Sequence, residues 1–541
     1  MAIKRRTARV LPGPPQHLLF EQGTADPESP AEEPPRSSFV DPSPEALSVG
    51  PMTLRSYLQA NGMGEVFEVR RLVRELDYSA FLARYRSKGR TPYHPALMTG
   101  LVLFSLMRGV RSLRGMEKFA RENVSAWWLT GGACPDHASI GRFVARFGDL
   151  LVGPVFESLT STILQRTGTS GTDLAGDGTT VQSVACRFKL IREEAARSRA
   201  QELREEVEAL PERAKQQRER LLRKAASYER AADATQREET RTNRNSTRRS
   251  VKVAPADPEA THQRLKNGLP APSYKPSVFA NEARIVVAHD VQSSSENRSV
   301  DGLCAQAKRV SGEEKLDCVR LDAGYFSGKV LQTLLDHDVD NPLVTDQGVA
   351  GELRGRKKVS KRFPKSDFTY DPETDTFACP AGETLRLVKH RKTRRTKIYG
   401  GAPCQDCPLK NQCTTSKRGR EVRRYDQDPL LESMREVMEN PLARAEYRRR
   451  SVMVEPVFAD LRQLQGLNRF LRAGLAKVRV EFGLAVTAHN LLRYLARRRR
   501  ERLSELLEHW EALRARLEEV SRCLEWPPAP TAGGGWIALS A

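Results

Sequence analysis

Residues 283–345 constrain the fold most tightly. Arg284-Ile-Val-Val-Ala is an apolar, β-branched run of the kind a sheet buries. A helix is expected near 299–309, and Leu316-Asp-Cys-Val-Arg-Leu-Asp322 is a second strand that ends in an acid. A helix over Phe326–His337 and a strand at Asn341-Pro-Leu-Val-Thr follow. Strand, helix, strand, helix, strand implies crossovers, and therefore parallel pairing within a mixed sheet. Asp322 then falls at the carboxyl end of its strand, where α/β sheets place ligands. An aspartate that only caps the next helix is the competing reading.

Two more acids stand in comparable settings. In Thr172-Asp-Leu-Ala-Gly-Asp177-Gly-Thr-Thr-Val-Gln-Ser, β-branched residues surround an aspartate bracketed by glycines. A strand, a tight turn and a returning strand are expected, a hairpin whose glycines leave room for a ligand; a plain turn aspartate is the alternative. Glu455 lies in Tyr447-Arg-Arg-Arg-Ser-Val-Met-Val-Glu455-Pro-Val-Phe-Ala-Asp-Leu-Arg462. Pro456 disfavours helical geometry at the residue before it, so a helix is expected to begin or kink there. Arg462, two helical turns on, shares a face with Glu455. A long helix from Gly474 to Leu495, with Val478, Phe482, Val486 and Asn490 in register, is expected to pack on the sheet.

Charge narrows the chemistry. The 541 residues carry a formal charge of +21, and the pI is near 9.7. A polyanionic partner is favoured, nucleic acid ahead of a membrane surface. No apolar run reaches the ~18 residues of a spanning helix, and no apolar segment follows the basic start. Nine cysteines without a secretory signal suit a reducing compartment, so a cytoplasmic, nucleoid-associated location is expected. Asp, Asp and Glu, in that order on so basic a chain, suggest metal-dependent phosphodiester chemistry, because Mg2+ takes carboxylate oxygens.

The remaining segments divide the chain. Residues 1–51, rich in Pro, Ser and Glu, are expected to be a disordered tail. Residues 52–168 are expected to form a helical DNA-binding domain. There Pro95 opens a helix with a stripe of Leu97, Leu101 and Phe104, Gly109 breaks it, and a second helix spans about 112–122. Asp136 caps a third, with Ile140, Phe143 and Phe147 inward and Arg142 and Arg146 outward. An ordinary solvated basic face is the competing reading for that arginine pair. Residues 169–498 are expected to be the catalytic α/β domain, with inserts at 187–282 (charged, helical or disordered, with a basic stretch at Arg241–Arg249) and 350–427 (basic, around Lys389–Lys397). The second insert holds Cys379, Cys404, Cys407 and Cys413, a set that suits a structural tetrahedral Zn2+, against four reduced core cysteines. Residues 499–541, which follow and continue the basic run Arg497–Arg500 and Arg502, are expected to be a C-terminal helix and a disordered tail.

Taken together, Asp177-Gly-Thr, Leu321-Asp322-Ala-Gly-Tyr, and Tyr447…Arg450…Glu455-Pro-Val-Phe with the later Ala488-His-Asn-Leu resemble bacterial insertion-sequence transposases of the DDE type. Pro92-Tyr-His-Pro, Arg108-Gly-Val-Arg-Ser and Pro135-Asp-His-Ala-Ser-Ile-Gly-Arg-Phe are similar to the N-terminal domain of that group, and a four-cysteine insertion occurs in one branch. The resemblance spans about residues 50–495. It implies an RNase H-like mixed sheet with flanking helices and an all-α N-terminal domain. It also implies an acidic triad of Asp177, Asp322 and Glu455 holding two Mg2+ ions (Mn2+ can substitute), with Asp177 bridging them. Tyr447, Arg450 and Arg462 would hold phosphates. The implied reaction is cleavage of double-stranded DNA at the terminal inverted repeats of an element, then strand transfer to target DNA, by a homodimer assembled on the paired ends. Two departures stand out: Arg462 replaces the lysine usual in the signature, and Arg450 lies one residue further from Glu455. A nuclease that cuts without joining, or an inactive transposase-derived DNA-binding protein, are the rival readings.

Overall fold

The computed structural model describes residues 38–86, 89–242, 251–266, 268–353, 362–391, 395–401 and 404–523. The chain divides into a large unit that ends at Leu491 and a second one that starts at Leu492.

The large unit opens with a minimal hairpin, β1 (Ser48–Val49) and β2 (Met52–Thr53), and continues as helices. These are α1 (Leu54–Ala60), α2 (Glu65–Arg74), α3 (Ser79–Leu82), α4 (Pro95–Met107), α5 (Leu113–Glu122), α6 (Val124–Thr130), α7 (His137–Val152) and α8 (Pro154–Thr167). Capping residues set several starts. Asn123 accepts from Ala126 N–H at the head of α6, and Asp136 accepts from Ser139 N–H at the head of α7. On α4 the expected stripe is instead a complete surface: every residue from Pro95 to Met107 is buried, which makes this helix the axis of the region. Residues 38–51, expected to be disordered, are ordered. Val40 N–H donates to Pro92 O, the Phe39 ring meets Tyr85 and His94 edge-on, and Arg74 bonds Asp41. A few apolar anchors suffice to dock a segment whose composition is otherwise polar. Residues 1–37 of the expected tail lie outside the described residues.

The mixed sheet follows. Its elements are β3 (Asp173–Gly178), β4 (Val181–Gln182), the helix pair α9 (Glu193–Glu208) and α10 (Lys215–Thr242), β5 (Thr261–Arg264), β6 (Pro270–Ala280) and β7 (Val286–Gln292). Next come α11 (Val300–Ser311), β8 (Leu316–Leu321), α12 (Gly328–Asp336) and β9 (Val339–Val344). The strand order is β4-β6-β3-β8-β9, with β5 and β7 also paired to β6. Read from β7, the sheet runs β7-β6-β3 antiparallel and β3-β8-β9 parallel, with α11 and α12 in the crossovers. This is an α/β, RNase H-like sheet behind a helical N-terminal region.

Three local expectations are corrected. β3 and β4 do not pair with each other; both lie antiparallel to β6, which comes from far along the chain. Local turn chemistry could not reveal that partner. The 187–282 insert is shorter than expected, because β5 and β6 belong to the sheet; within it, α9 and α10 pack through Ala196, Ala200, Leu203, Ala231 and Ala232. Residues 243–250 of the basic stretch lie outside the described residues. The strand expected from Arg284 begins at Val286, because Arg284 has φ 62° and turns the chain.

Residues beyond β9 start with α13 (Gln347–Leu353). A five-stranded antiparallel sheet then runs in sequence order: β10 (Thr369–Asp371), β11 (Thr376–Ala378), β12 (Thr384–Arg391), β13 (Thr396–Gly400) and β14 (Val422–Tyr425). Phe368, Phe377, Leu385, Tyr399 and Val422 form its own small core. Between β13 and β14 sits the short α14 (Lys410–Cys413). The large unit closes with α15 (Asp428–Val437), α16 (Pro441–Gln463) and the first part of α17 (Leu475–Cys523). α16 does not begin at Pro456; it runs through it. The residue four back, Val452, lies on the exposed side, so the carbonyl that proline leaves without a donor is not trapped in the core. Val478, Phe482, Val486 and Asn490 are all buried, as expected, and Asn490 brackets the edge of β7 by bonding both N–H and C=O of Val286. Among the described residues no helix is long and apolar enough to cross a membrane.

Candidate functional site

Parallel pairing brings the first two acids together. Gly176 on β3 is in register with Leu321 on β8, so the next residues, Asp177 and Asp322, leave the carboxyl ends of neighbouring strands side by side. Gly176 is required for this approach: a Cβ there would stand 2.4 Å from Leu321 Cδ2 and 2.7 Å from Phe279 Cε1. At Gly178 a Cβ would meet Glu296 Oε2 at 2.7 Å and Tyr325 OH at 3.1 Å. The glycines around Asp177 therefore answer to packing between strands, not to a hairpin turn.

The third acid arrives on α16, which lies across β3, β6, β8 and β9 and is fastened at its upstream end by a buried arginine. Arg320, 2% exposed near the carboxyl end of β8, donates to Glu446 O at 2.9 Å and to Glu446 Oε2 at 2.7 Å, and also pairs with Asp173. Arg449 reinforces the clamp through Glu446 at 2.8 Å and Glu282 at 3.3 Å. Fixing residue 446 fixes the rotation of the helix, and so fixes where Glu455 emerges. Sequence reasoning missed Arg320 and Glu446. The available signal was a charged residue inside the apolar run Cys-Val-Arg-Leu, which a buried strand tolerates only when paired.

Asp177, Asp322 and Glu455 converge on one cation. Arg450 Nη1 lies 3.8 Å from Asp177 Oδ2, and its Nη2 lies 3.5 Å from Asp322 Oδ1 and 3.7 Å from Glu455 Oε1. Glu455 stays at the rim, with its side chain 57% exposed, whereas that of Arg450 is 5% exposed. Burial pushes the Asp177 carboxyl up to about 6, against the pull of Arg450 and of Gly178 N–H, which donates to Asp177 Oδ1 at 2.9 Å. Burial works against the Arg450 charge, and the facing carboxylates more than offset it, so its pKa lies above the ordinary value. A fourth acid, Glu296, sits against Gly178, paired to Lys275 at 3.2 Å.

The other predicted contacts separate. Arg462 donates to Thr179 Oγ1, two residues past Asp177, which keeps it beside the cleft. Tyr447 is buried in α16 packing. Arg142 and Arg146 are exposed on α7. Arg142 donates to Ser139 Oγ at 3.0 Å, and Arg146 lies over the Tyr85 and Phe147 rings at 5.4 and 5.5 Å. Neither pairs with the three acids.

Cys379, Cys404, Cys407 and Cys413 do come together: all four line one cavity of about 20 Å3, with Phe363, Leu385 and Arg420. Burial raises the Cys413 thiol pKa, and the three neighbouring thiols add to the effect. Among the described residues no group of three or more His, Cys, Asp or Glu is gathered tightly enough to hold an ion, and this covers both the thiols and the acids. At the acids, the Arg450 guanidinium stands among the three carboxylates. The donor set itself, three hard carboxylate oxygens, fits Mg2+ or Mn2+.

A mixed sheet of this order, with acids at the ends of its central parallel strands and a third acid on a helix laid across it, defines the RNase H-like class of α/β proteins. Two family models match the chain: one described as "Transposase DDE domain" over residues 378–495, and one described as "Transposase domain (DUF772)" over residues 61–146. These matches support an insertion-sequence transposase of the DDE type. No curated protein and no solved structure matches it.

Proposed function

We propose that this transposase binds the ends of a DNA element, cuts there in a metal-dependent reaction, and joins the freed 3′ end to target DNA. The observation that carries the reading is the convergence of Asp177, Asp322 and Glu455 on a single buried cation at the carboxyl edge of the parallel strands. Divalent ions held by these carboxylates would stabilise charge on the attacking and leaving oxygens and activate a water or a DNA 3′-hydroxyl. The chain's own groups do the rest. Glu455, at the rim, closes the carboxylate set on the solvent side. Arg462, held beside Asp177 by Thr179, is the cation best placed to take a phosphate, and its planar fork suits one. The exposed arginines of α7 support residues 52–168 as the part that reads the DNA, with the charge of +21 supplying phosphate contacts.

The test is a supercoiled plasmid bearing the element ends, incubated with Mg2+ and either the wild type or Asp177→Asn. Nicking and joined product from the wild type alone is the expected result. Cutting without joined product would favour a nuclease, and binding without cutting would favour a DNA-binding protein only.

Self-association is part of this proposal. On the second unit, Leu503, Leu506, Trp510, Leu513, Leu517 and Val520 are all exposed. Their spacing alternates between three and four residues, the a/d seam that one helix offers another, so a second copy of the chain is the proposed occupant. For the cysteine pocket, Cys379, Cys404, Cys407 and Cys413 are the residues that would hold a structural Zn2+.

A further inference from the structure

Arg450 has an unusual position for a phosphate-binding residue. On α16 it falls on the stripe that faces the sheet, in line with the buried Val454, Val457 and Leu461. Glu455, five residues on, is turned about 140° away by the helical repeat and reaches the rim. The guanidinium therefore enters the acid cluster from beneath, while the carboxylates reach it from the strand ends and from the rim. Its contacts are all charge contacts at 3.5–3.8 Å, longer than the 2.7–3.2 Å of a good N–H···O bond. Nη1 has no hydrogen-bond partner among the described residues.

Arg320 shows what a permanent buried clamp looks like in the same protein. It sits on a strand and bonds Glu446 at 2.7 and 2.9 Å. A guanidinium held only by charge has no such bonds to lose, and an ion of higher charge and smaller radius wins the same carboxylates.

We propose that Arg450 is a built-in stand-in for the divalent ions. It neutralises the three carboxylates while the site is metal-free, metal loading moves it off them, and the released guanidinium turns to a DNA phosphate at the cleft. This deepens the proposed function and rests on the reading of Asp177, Asp322 and Glu455 as the ion-holding set. One consequence is an order of events. Metal and arginine compete for one position, so the chain presents this cation to DNA only after the ions are in place, which guards against an arginine–phosphate contact in a site unable to cut. A second consequence is a cost in metal affinity, since the ions must displace a resident charge.

Mn2+ binding to DNA-free protein tests this directly, by titration calorimetry and by the loss of the free-ion electron paramagnetic resonance signal. Arg450→Gln keeps much of the side-chain volume and removes the charge. It is expected to tighten Mn2+ binding at least tenfold and to enlarge the rise in melting temperature that Mn2+ produces. An unchanged or weaker Kd overturns the proposal, because a residue that merely supports the ligands would weaken binding when removed. Asp177→Asn separates the two layers of the argument. If it binds Mn2+ as the wild type does, the ion-holding reading itself fails; if it loses Mn2+ while Arg450→Gln gains nothing, only the stand-in role fails. Should Arg450→Gln not fold, amide hydrogen exchange of the wild type decides. Residues 446–458 are expected to exchange faster with Mg2+ than without it as the arginine leaves its seat, and equal or slower exchange counts against the displacement.

Discussion

At the scale of single residues, the site depends on what is absent as much as on what is present. Gly176 lets β3 and β8 come close enough to set Asp177 beside Asp322. Gly176→Ala is expected to destabilise the protein by roughly 1–3 kcal/mol, the usual range for overpacking a filled core, seen as a lower urea midpoint at unchanged slope. Asp322→Asn tests the second acid: end binding by gel shift should remain, because it rests on the basic groups, while nicking should drop to background. Wild-type nicking by that variant would remove Asp322 from the set. Arg320 acts only on position. Arg320→Met should cost about 2 kcal/mol, less than a fully enclosed pair, because Glu446 is half exposed. Its further signature would be weaker Mn2+ binding with end binding unaffected, as the rotation of α16 loosens.

At the scale of elements, α16 and α7 carry different risks. Pro456 lies inside α16 and removes one helical hydrogen bond where Val452 faces solvent. Pro456→Ala should therefore stabilise the protein by on the order of 1 kcal/mol, seen as a higher melting temperature; a lower melting temperature would mean that the proline-shaped turn is needed for packing. For α7 the expectation concerns selectivity. Arg142 and Arg146 share its exposed face, and groove contacts specify sequence whereas phosphate contacts only position. Replacing both with Ala should reduce the preference for element ends over random DNA, read by fluorescence anisotropy at two salt concentrations. Parallel loss on both DNAs would mean that α7 is not the reading helix.

On the scale of the whole molecule, the large unit is held where the sheet meets its flanking helices, and one histidine there is expected to make that junction sensitive to acid. His289 on β7 is buried, with its ring 4.5 Å from the Phe156 ring and 6.0 Å from that of Phe482; Gly483 leaves the space it needs. Burial lowers its pKa to about 4, from an ordinary 6.5. The unfolded chain thus takes up the proton first. The stability that the neutral ring contributes is complete above pH 6.5 and is lost as pH falls towards 4, by about 3 kcal/mol in all. Calorimetry on His289→Leu should show a flatter loss of stability between pH 6.5 and 4 than the wild type shows. Equal slopes would assign acid sensitivity to other groups.

The sequence alone determined whatever a local period or a local cap can encode. The α/β alternation of 283–345 carried β8, α12 and β9 with Asp322 at a strand end, and Asp136 marked the start of α7. The stripe of Val478, Phe482, Val486 and Asn490 marked the first part of α17. The spacing of the four cysteines pointed to a zinc set; they line one pocket, but among the described residues no ion-holding group forms. What the sequence could not hold was any relation between distant segments. The partner of β3 is β6, about a hundred residues on beyond two inserted helices, so Asp177-Gly-Thr read as a hairpin when it is one edge of a long-range pairing. α4 looked one-sided because periodicity reports apolar positions and cannot say that small and polar ones, Thr99 and Ser105 among them, are enclosed as well. Pro456 looked like a helix start because its local preference is real, and the packing of α16 across four strands outweighs it. Only tertiary structure aimed Arg450 into the acids and tied Arg320 to Glu446, because a side chain's charge is written in the sequence but the charge it faces is set by how the chain folds.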